Sequence, residues 1–157
     1  MLYIKNSNGR YRIADEDDVI EEATFIYNSY FAKGTIISKP ADSAEYLKLK
    51  LAHFEHEVFL CLFLTNQNQV ISCDEMFHGT IDSASVYPRE VVKSALQYNA
   101  AAVVFSHNHP SGIKEPSRAD KEITSKLKKA LETVDICVLD HIIIGDSTYS
   151  FAEHGLL

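Results

Sequence analysis

Two histidines and an aspartate in one short stretch carry the chemistry this chain can do. The run is Phe105-Ser106-His107-Asn108-His109-Pro110-Ser111-Gly112-Ile113-Lys114-Glu115-Pro116-Ser117-Arg118-Ala119-Asp120. It follows an apolar segment, Ala100 to Phe105, with the composition of a buried strand. At the end of an extended segment, the spacing of His107 and His109 puts both imidazoles on one face, because strand side chains alternate. Pro110, Gly112 and Pro116 then interrupt regular structure. Ser117 opens a helix, and Asp120 falls in its first turn. Two neutral nitrogen donors and one carboxylate so meet at a strand–loop–helix corner. Such a set can hold zinc by three protein ligands, with the fourth position left for water.

Each residue also has a plainer reading. Two histidines can end a wet strand without a metal. Ser117-x-x-Asp120 has the form of a capping box, with serine at the N-cap and an acid at N3. The readings are compatible, since a carboxylate has two oxygens and can cap with one and ligate with the other.

The spacing His107-x-His109-x7-Ser117-x2-Asp120 resembles the JAMM motif of the MPN/JAB metallopeptidases. The wording His-Asn-His-Pro-Ser-Gly, followed by Pro116-Ser117-x-x-Asp120, resembles the RadC branch of that superfamily. Pro88-Arg89-Glu90 upstream and Asp140-His141-Ile142-Ile143 downstream are similar to RadC segments as well. The resemblance spans roughly residues 35 to 157. It implies a mixed α/β sheet with flanking helices, the MPN (cytidine-deaminase-like) core. It also implies hydrolysis of a peptide or isopeptide bond by a zinc-activated water. His107, His109 and Asp120 would be the metal ligands, and the substrate a peptide or protein.

The resemblance further implies a general base, a glutamate at the start of a core strand upstream of the histidines. Glu57, directly before Val58-Phe59, matches that position, and Glu55 is the rival two residues away. Glu57 is preferred because it adjoins the apolar run, where partial burial raises a carboxyl pKa. By position Ser117 matches the family's oxyanion-stabilising serine, whose hydroxyl donates to a developing negative oxygen. Zinc suits two histidines and a carboxylate and lowers the pKa of its water toward about 7.

Composition sets the frame for these residues. The chain has 157 residues, 46% of them apolar, which suits one core. No apolar run reaches the roughly eighteen residues of a membrane-spanning helix, and Met1-Leu2-Tyr3-Ile4-Lys5 lacks a signal-peptide pattern. Cys61, Cys73 and Cys137 are an odd count without metal-site spacing and read as thiols of a reducing cytoplasm. The net charge of −7 argues against tight, sequence-independent nucleic-acid binding. RadC relatives commonly carry a longer N-terminal part of helix-hairpin-helix character, and no Gly-rich pair of short helices is present here. A zinc deaminase would need His-x-Glu and Pro-Cys-x-x-Cys, and neither occurs. The competing functions are a non-catalytic MPN interaction module, disfavoured by the intact motif, and the DNA-repair accessory role behind the RadC name. The sequence specifies no oligomeric state.

The elements follow in order. Leu2–Ile4 and Tyr11–Ile13 flank Asn6-Ser7-Asn8-Gly9, a hairpin signal. Residues 15–31 read as a helix with an acidic first turn, stopped by Gly34, with Val19, Ile20, Ala23, Tyr27 and Phe31 on a packed face. Residues 1–34 are expected as an extension packed on the core, and 35–157 as the MPN domain. Lys39-Pro40 reads as a break, after which Asp42 or Ser43 caps a helix to about His53. Val58 to Leu64 reads as a central strand covered on both faces, and Val70–Cys73 returns antiparallel after a turn. Gly79 to Asp82 is expected as loop. A helix over Pro88–Tyr98 buries Val91, Val92 and Ala95, and a strand over Ala100–Ser106 leads to the motif. The motif helix runs to about Glu132, with Lys121, Lys126, Lys128 and Lys129 on a solvated face. Asp135–Leu139, His141–Ile144 and Tyr149–Phe151 are expected as strands. His53, His56, His78, His141 and His154 read as surface or packing residues.

Overall fold

A computed structural model describes residues 2–5, 8–30, 33–79 and 86–157, the side chains of 27–30 excepted. The turn residues Asn6 and Ser7, the side chain of Tyr27, Phe31, and the loop residues 80–82 lie outside that description. Backbone contacts divide the chain into two units, 1–32 and 33–157.

The first unit pairs β1 (Tyr3–Lys5) with β2 (Tyr11–Ile13) in an antiparallel hairpin, followed by α1 (Glu16–Tyr30). Arg12 grips the acidic helix start, with its guanidinium on both carboxylate oxygens of Asp18. Val19 and Ile20 are 39% and 57% exposed, and Ala23 is exposed too. Two three-residue strands and one helix supply too little apolar surface to enclose a core of their own.

The second unit is a five-stranded sheet in the order β4-β3-β5-β6-β7. Its strands are β3 (Val58–Leu64), β4 (Val70–His78), β5 (Ala102–Asn108), β6 (Cys137–Ile144) and β7 (Thr148–Ser150). Its helices are α2 (Pro40–Leu51), α3 (Pro88–Gln97) and α4 (Arg118–Glu132). β5 and β6 run parallel and every other neighbouring pair is antiparallel, so the sheet is mixed. All residues of β3 are buried, as its unbroken apolar run demands. Phe59, Cys61 and Phe63 join Val103 and Phe105 of β5 on one face, where Val91 and Ala95 of α3 and Leu127 and Leu131 of α4 complete the core. The alternate side chains point to the other face, along which α2 lies against β5, β6 and β7.

Several local expectations differ. Pro40 begins α2 instead of breaking the chain before it, because a first-turn proline loses no hydrogen bond. Asp42 stabilises that start from inside the helix, accepting the Ser38 and Lys39 backbone N–H groups at 3.1 and 3.2 Å. The two strands expected over 135–144 are one strand, β6, with a register irregularity where Val103 and Val104 face Val138 and Asp140. β4 runs on to His78, and Val92 of α3 is only partly buried.

β5 ends two residues later than expected, at Asn108. His107 and Asn108 are thus strand residues held by both neighbours: His107 lies opposite Phe59 of β3 and Ile143 of β6.

Candidate metal centre

α4 brings a carboxylate to the end of β5. Its buried stripe is Asp120, Thr124, Leu127 and Leu131, polar in the first turns and apolar afterwards. The apolar half meets the core, and the polar half meets the histidines. Ser117 is the N-cap: its hydroxyl oxygen accepts the Asp120 N–H at 3.1 Å, and Asp120 Oδ2 accepts the Ser117 N–H at 2.7 Å. The capping box is therefore formed, and it aims Asp120 Oδ1 at His107, 3.1 Å from Nε2. Asp120 Oδ2 also lies 3.5 Å from His109 Nε2.

The two Nε2 atoms of His107 and His109 face each other at 2.9 Å. Glu57 Oε1 lies 3.9 Å from His107 Nε2. Among the described residues, Glu57, His107, His109 and Asp120 form the one group able to hold a metal ion, with a donor atom of each within 4.8 Å of every other. The structure brings Glu57 into this group, whereas Glu55 is exposed and outside it. Ser117 is exposed, and its hydrogen bonds with Asp120 are those of the cap.

The loop between His109 and Ser117 is tied to the turn after β6. His109 N–H donates to the Ile144 carbonyl at 2.8 Å, and Asp146 N–H donates to the Gly112 carbonyl at 2.8 Å. Gly112 takes a φ of +81°, and a Cβ there would sit 2.5 Å from Asp146 Oδ1. A Cβ on Gly145 would run into the Gly112 carbonyl. Two glycines let two backbones touch, so this loop is held although it contains no regular structure. One consequence is chemical. The Ile113 carbonyl sits 2.6 Å from His109 Nδ1, so Nδ1 carries the proton and donates it. That leaves the lone pair of His109 on Nε2, facing the cluster.

Asn108, between the two histidines, points to the opposite side of the strand. Its Oδ1 accepts the Val58 N–H at 2.7 Å, and its Nδ2 donates to the His56 carbonyl at 3.0 Å. These bonds bracket Glu57. His141 is fully buried, and its Nε2 lies 2.8 Å from His107 Nδ1. The sequence suggested a surface or packing role for His141 and none for Asn108. The usable signal was polarity: Asp140-His141 interrupts an otherwise apolar strand, and buried polar groups are partnered.

The electrostatics suit a cation site. Burial pushes the His107 imidazole below its ordinary value and outweighs the pull of Asp120, so the ring is neutral and can ligate. For His109 the facing Asp120 carboxylate outweighs burial and raises the pKa. Burial pushes the Asp120 carboxyl up, but the facing His107 and His109 rings and Ser117 overcome it and hold the group well below the usual carboxylate range. Two imidazole lone pairs and an ionised carboxylate converging without a fixed cation among them fit a divalent ion such as zinc.

A family model described as a RadC-like JAB domain matches residues 37–156. A "UPF0758 protein" of Vibrio cholerae is 54% identical over 144 residues, covering 92% of this chain and 91% of that protein. A second from the same organism is 51% identical over 142 residues, covering 90% of each. A "UPF0758 protein" of Nitrosococcus oceani is 57% identical over 126 residues, which are 80% of this chain and 56% of that longer relative.

Proposed function

The chain belongs to the RadC-like JAB domain family, and from that premise we propose that it is a zinc-dependent hydrolase of peptide or isopeptide bonds. The observation that carries this reading is the convergence of Glu57, His107, His109 and Asp120 within 4.8 Å. His107 Nε2, His109 Nε2 and an oxygen of Asp120 would hold the ion. When bound, the ion supplies Lewis acidity, which acidifies water and polarises a carbonyl.

Everything else falls to side chains of this chain. Glu57 stands further from His107 Nε2 than Asp120 does, at 3.9 against 3.1 Å. That spacing suits a base beside the site better than a fourth ligand. Glu57 Oε1 takes a proton from the attacking water and returns it to the leaving amine. Ser117 Oγ already accepts from a helix N–H, and a hydroxyl has one proton to donate. That proton is available to the oxygen on which negative charge develops.

The complete ligand set favours an enzyme over a non-catalytic interaction module. The proposed partner is a peptide or protein; tight nucleic-acid binding is no part of the reading, given a net charge of −7. Among the described residues no helix is long and apolar enough to cross a membrane.

The experiment is a cleavage screen of the zinc-loaded protein against peptide and isopeptide libraries, beside Glu57→Gln. Cleavage by wild type that falls about a hundredfold or more in Glu57→Gln is expected, the usual worth of a positioned base. Full activity in Glu57→Gln overturns the assignment of the base. Cleavage that survives complete removal of metal overturns the mechanism.

A further inference from the structure

His107 has a neighbour that no ligand motif contains. Its Nδ1 meets His141 Nε2 at 2.8 Å, and His141 Nδ1 meets Thr124 Oγ1 at 2.5 Å. Thr124 Oγ1 in turn lies 2.5 Å from the Asp120 carbonyl. His107, His141, Thr124 and Asp120 are all buried.

The direction of every proton in this chain follows from its last member. A carbonyl only accepts, so the single Thr124 hydroxyl proton goes to Asp120. Toward His141 the hydroxyl oxygen must then accept, and the His141 proton sits on Nδ1. His141 is enclosed by Phe59, Phe105 and Phe151, with ring centroids 5.5, 5.9 and 4.8 Å away. An imidazolium among three aromatic rings would be a buried, unpaired charge, so the ring is neutral. Its Nε2 therefore has only a lone pair and must accept from His107 Nδ1–H. The lone pair of His107 is left on Nε2, the atom that faces His109, Asp120 and Glu57.

We propose that His141 is a positioning residue that, with Thr124, locks His107 in the Nδ1–H tautomer and so presents its Nε2 lone pair to the metal. The Ile113 carbonyl does the same for His109. A metal-ligating histidine usually donates its second N–H to a carboxylate, carbonyl or water. Here a second imidazole takes that place, and it can accept only because Thr124 fixes its own tautomer. The same helix that brings Asp120 to the metal also brings Thr124 one turn on, so α4 sets both a ligand and the proton order behind another ligand.

This inference rests on the metal-centre reading above, but its test has a part that does not. The test is long-range 1H–15N correlation on metal-free, 15N-labelled protein, with zinc affinity measured by competition against a chelator. Wild type is expected to show His107 and His141 each with the proton fixed on Nδ1. Thr124→Val removes the hydroxyl at nearly constant shape and frees His141 to protonate on Nε2, which forces His107 into the wrong tautomer. His141→Phe fills the aromatic cage without an acceptor. Both are expected to lose the Nδ1–H signature of His107 and about 10–100-fold in zinc affinity, the usual cost of losing such a partner. His141→Gln places an amide oxygen near the position of Nε2 and is expected to recover most of that affinity.

A wild-type spectrum with the His107 proton on Nε2 overturns the proposal, whether or not any variant folds. So does wild-type zinc affinity in folded Thr124→Val and His141→Phe. A wild-type protein that shows both tautomers as stated but binds no zinc leaves the relay standing and removes the proposed function instead.

Discussion

Asn108 Oδ1 accepts the backbone N–H of Val58 at 2.7 Å, across a separation of fifty positions in the chain. Asn108 Nδ2 reaches the carbonyls of His56 at 3.0 Å and Phe54 at 3.4 Å. One buried amide so holds the backbone on both sides of Glu57. The same residue lies between His107 and His109. The strand that carries the two proposed nitrogen ligands thereby also sets the height of the proposed base.

Asn108→Leu removes three hydrogen bonds and strands the Val58 N–H inside the protein. Leaving a buried backbone donor unpaired costs about 1–3 kcal/mol. The expected outcome is a clear drop in melting temperature with zinc still bound, since the amide hydrogen-bonds to none of the three proposed ligands, His107, His109 and Asp120. Turnover is expected to fall further than zinc occupancy does. Parallel measurement of metal content and cleavage checks this, and an equal loss of both would mean that Asn108 supports the whole site and not Glu57 in particular.

Ser117 separates two roles of one hydroxyl. Ser117→Ala removes the N-cap of α4 and is expected to cost about 1 kcal/mol of stability. As an oxyanion donor its loss also costs about a hundredfold to a thousandfold in turnover. Ser117→Asp caps well but has no hydroxyl proton and adds a negative charge. It is expected to regain much of the stability and none of the rate. A zinc-loaded, fully active Ser117→Asp protein would show Ser117 to be a cap alone.

Gly145→Ala tests the docking of the motif loop. The new Cβ would meet the Gly112 carbonyl, a backbone atom that cannot swing aside. The loop must shift, and with it the Ile113 carbonyl that accepts from His109 Nδ1. Weaker zinc binding with α4 and the core still folded is expected, read by chelator competition and circular dichroism. Unchanged affinity would separate the loop's backbone contact from the orientation of His109.

The metal-free protein carries a pH signature. The Asp120 carboxyl is held below its ordinary value by its imidazole neighbours and Ser117 against the opposing effect of burial. Its contribution is complete above about pH 4 and fades as pH falls toward the folded-state value. His109 is raised, chiefly by Asp120, so its contribution is complete below about pH 6.5 and fades as pH rises through the folded-state value. The stability gap between metal-free wild type and Asp120→Asn is therefore expected to be widest from about pH 4 to about pH 6.5 and to narrow on both sides. Urea unfolding across pH 3–9 measures it, and a gap independent of pH contradicts the coupling of these two groups.

Much of the centre was legible because its signals are local. His107 and His109 share a face by strand alternation, and Ser117 with Asp120 follows a helix-start pattern. β3 was legible from its apolar run, and the α/β fold from the alternation of strand and helix signals. What escaped depends on pairing between distant segments. His141 lies 34 positions from His107, and Thr124 lies 17 from His141. A histidine inside an apolar strand looks like packing until the opposite strand is known. Asn108 filled the unspecified middle of the two-histidine motif.

The most direct measurement is zinc content by mass spectrometry after exhaustive dialysis, on wild type and on His107→Ala, His109→Ala, Asp120→Ala and Glu57→Gln. About one zinc per chain is expected in wild type and in Glu57→Gln, and loss of zinc in the other three. Wild-type zinc in folded His107→Ala, His109→Ala and Asp120→Ala proteins would contradict the account.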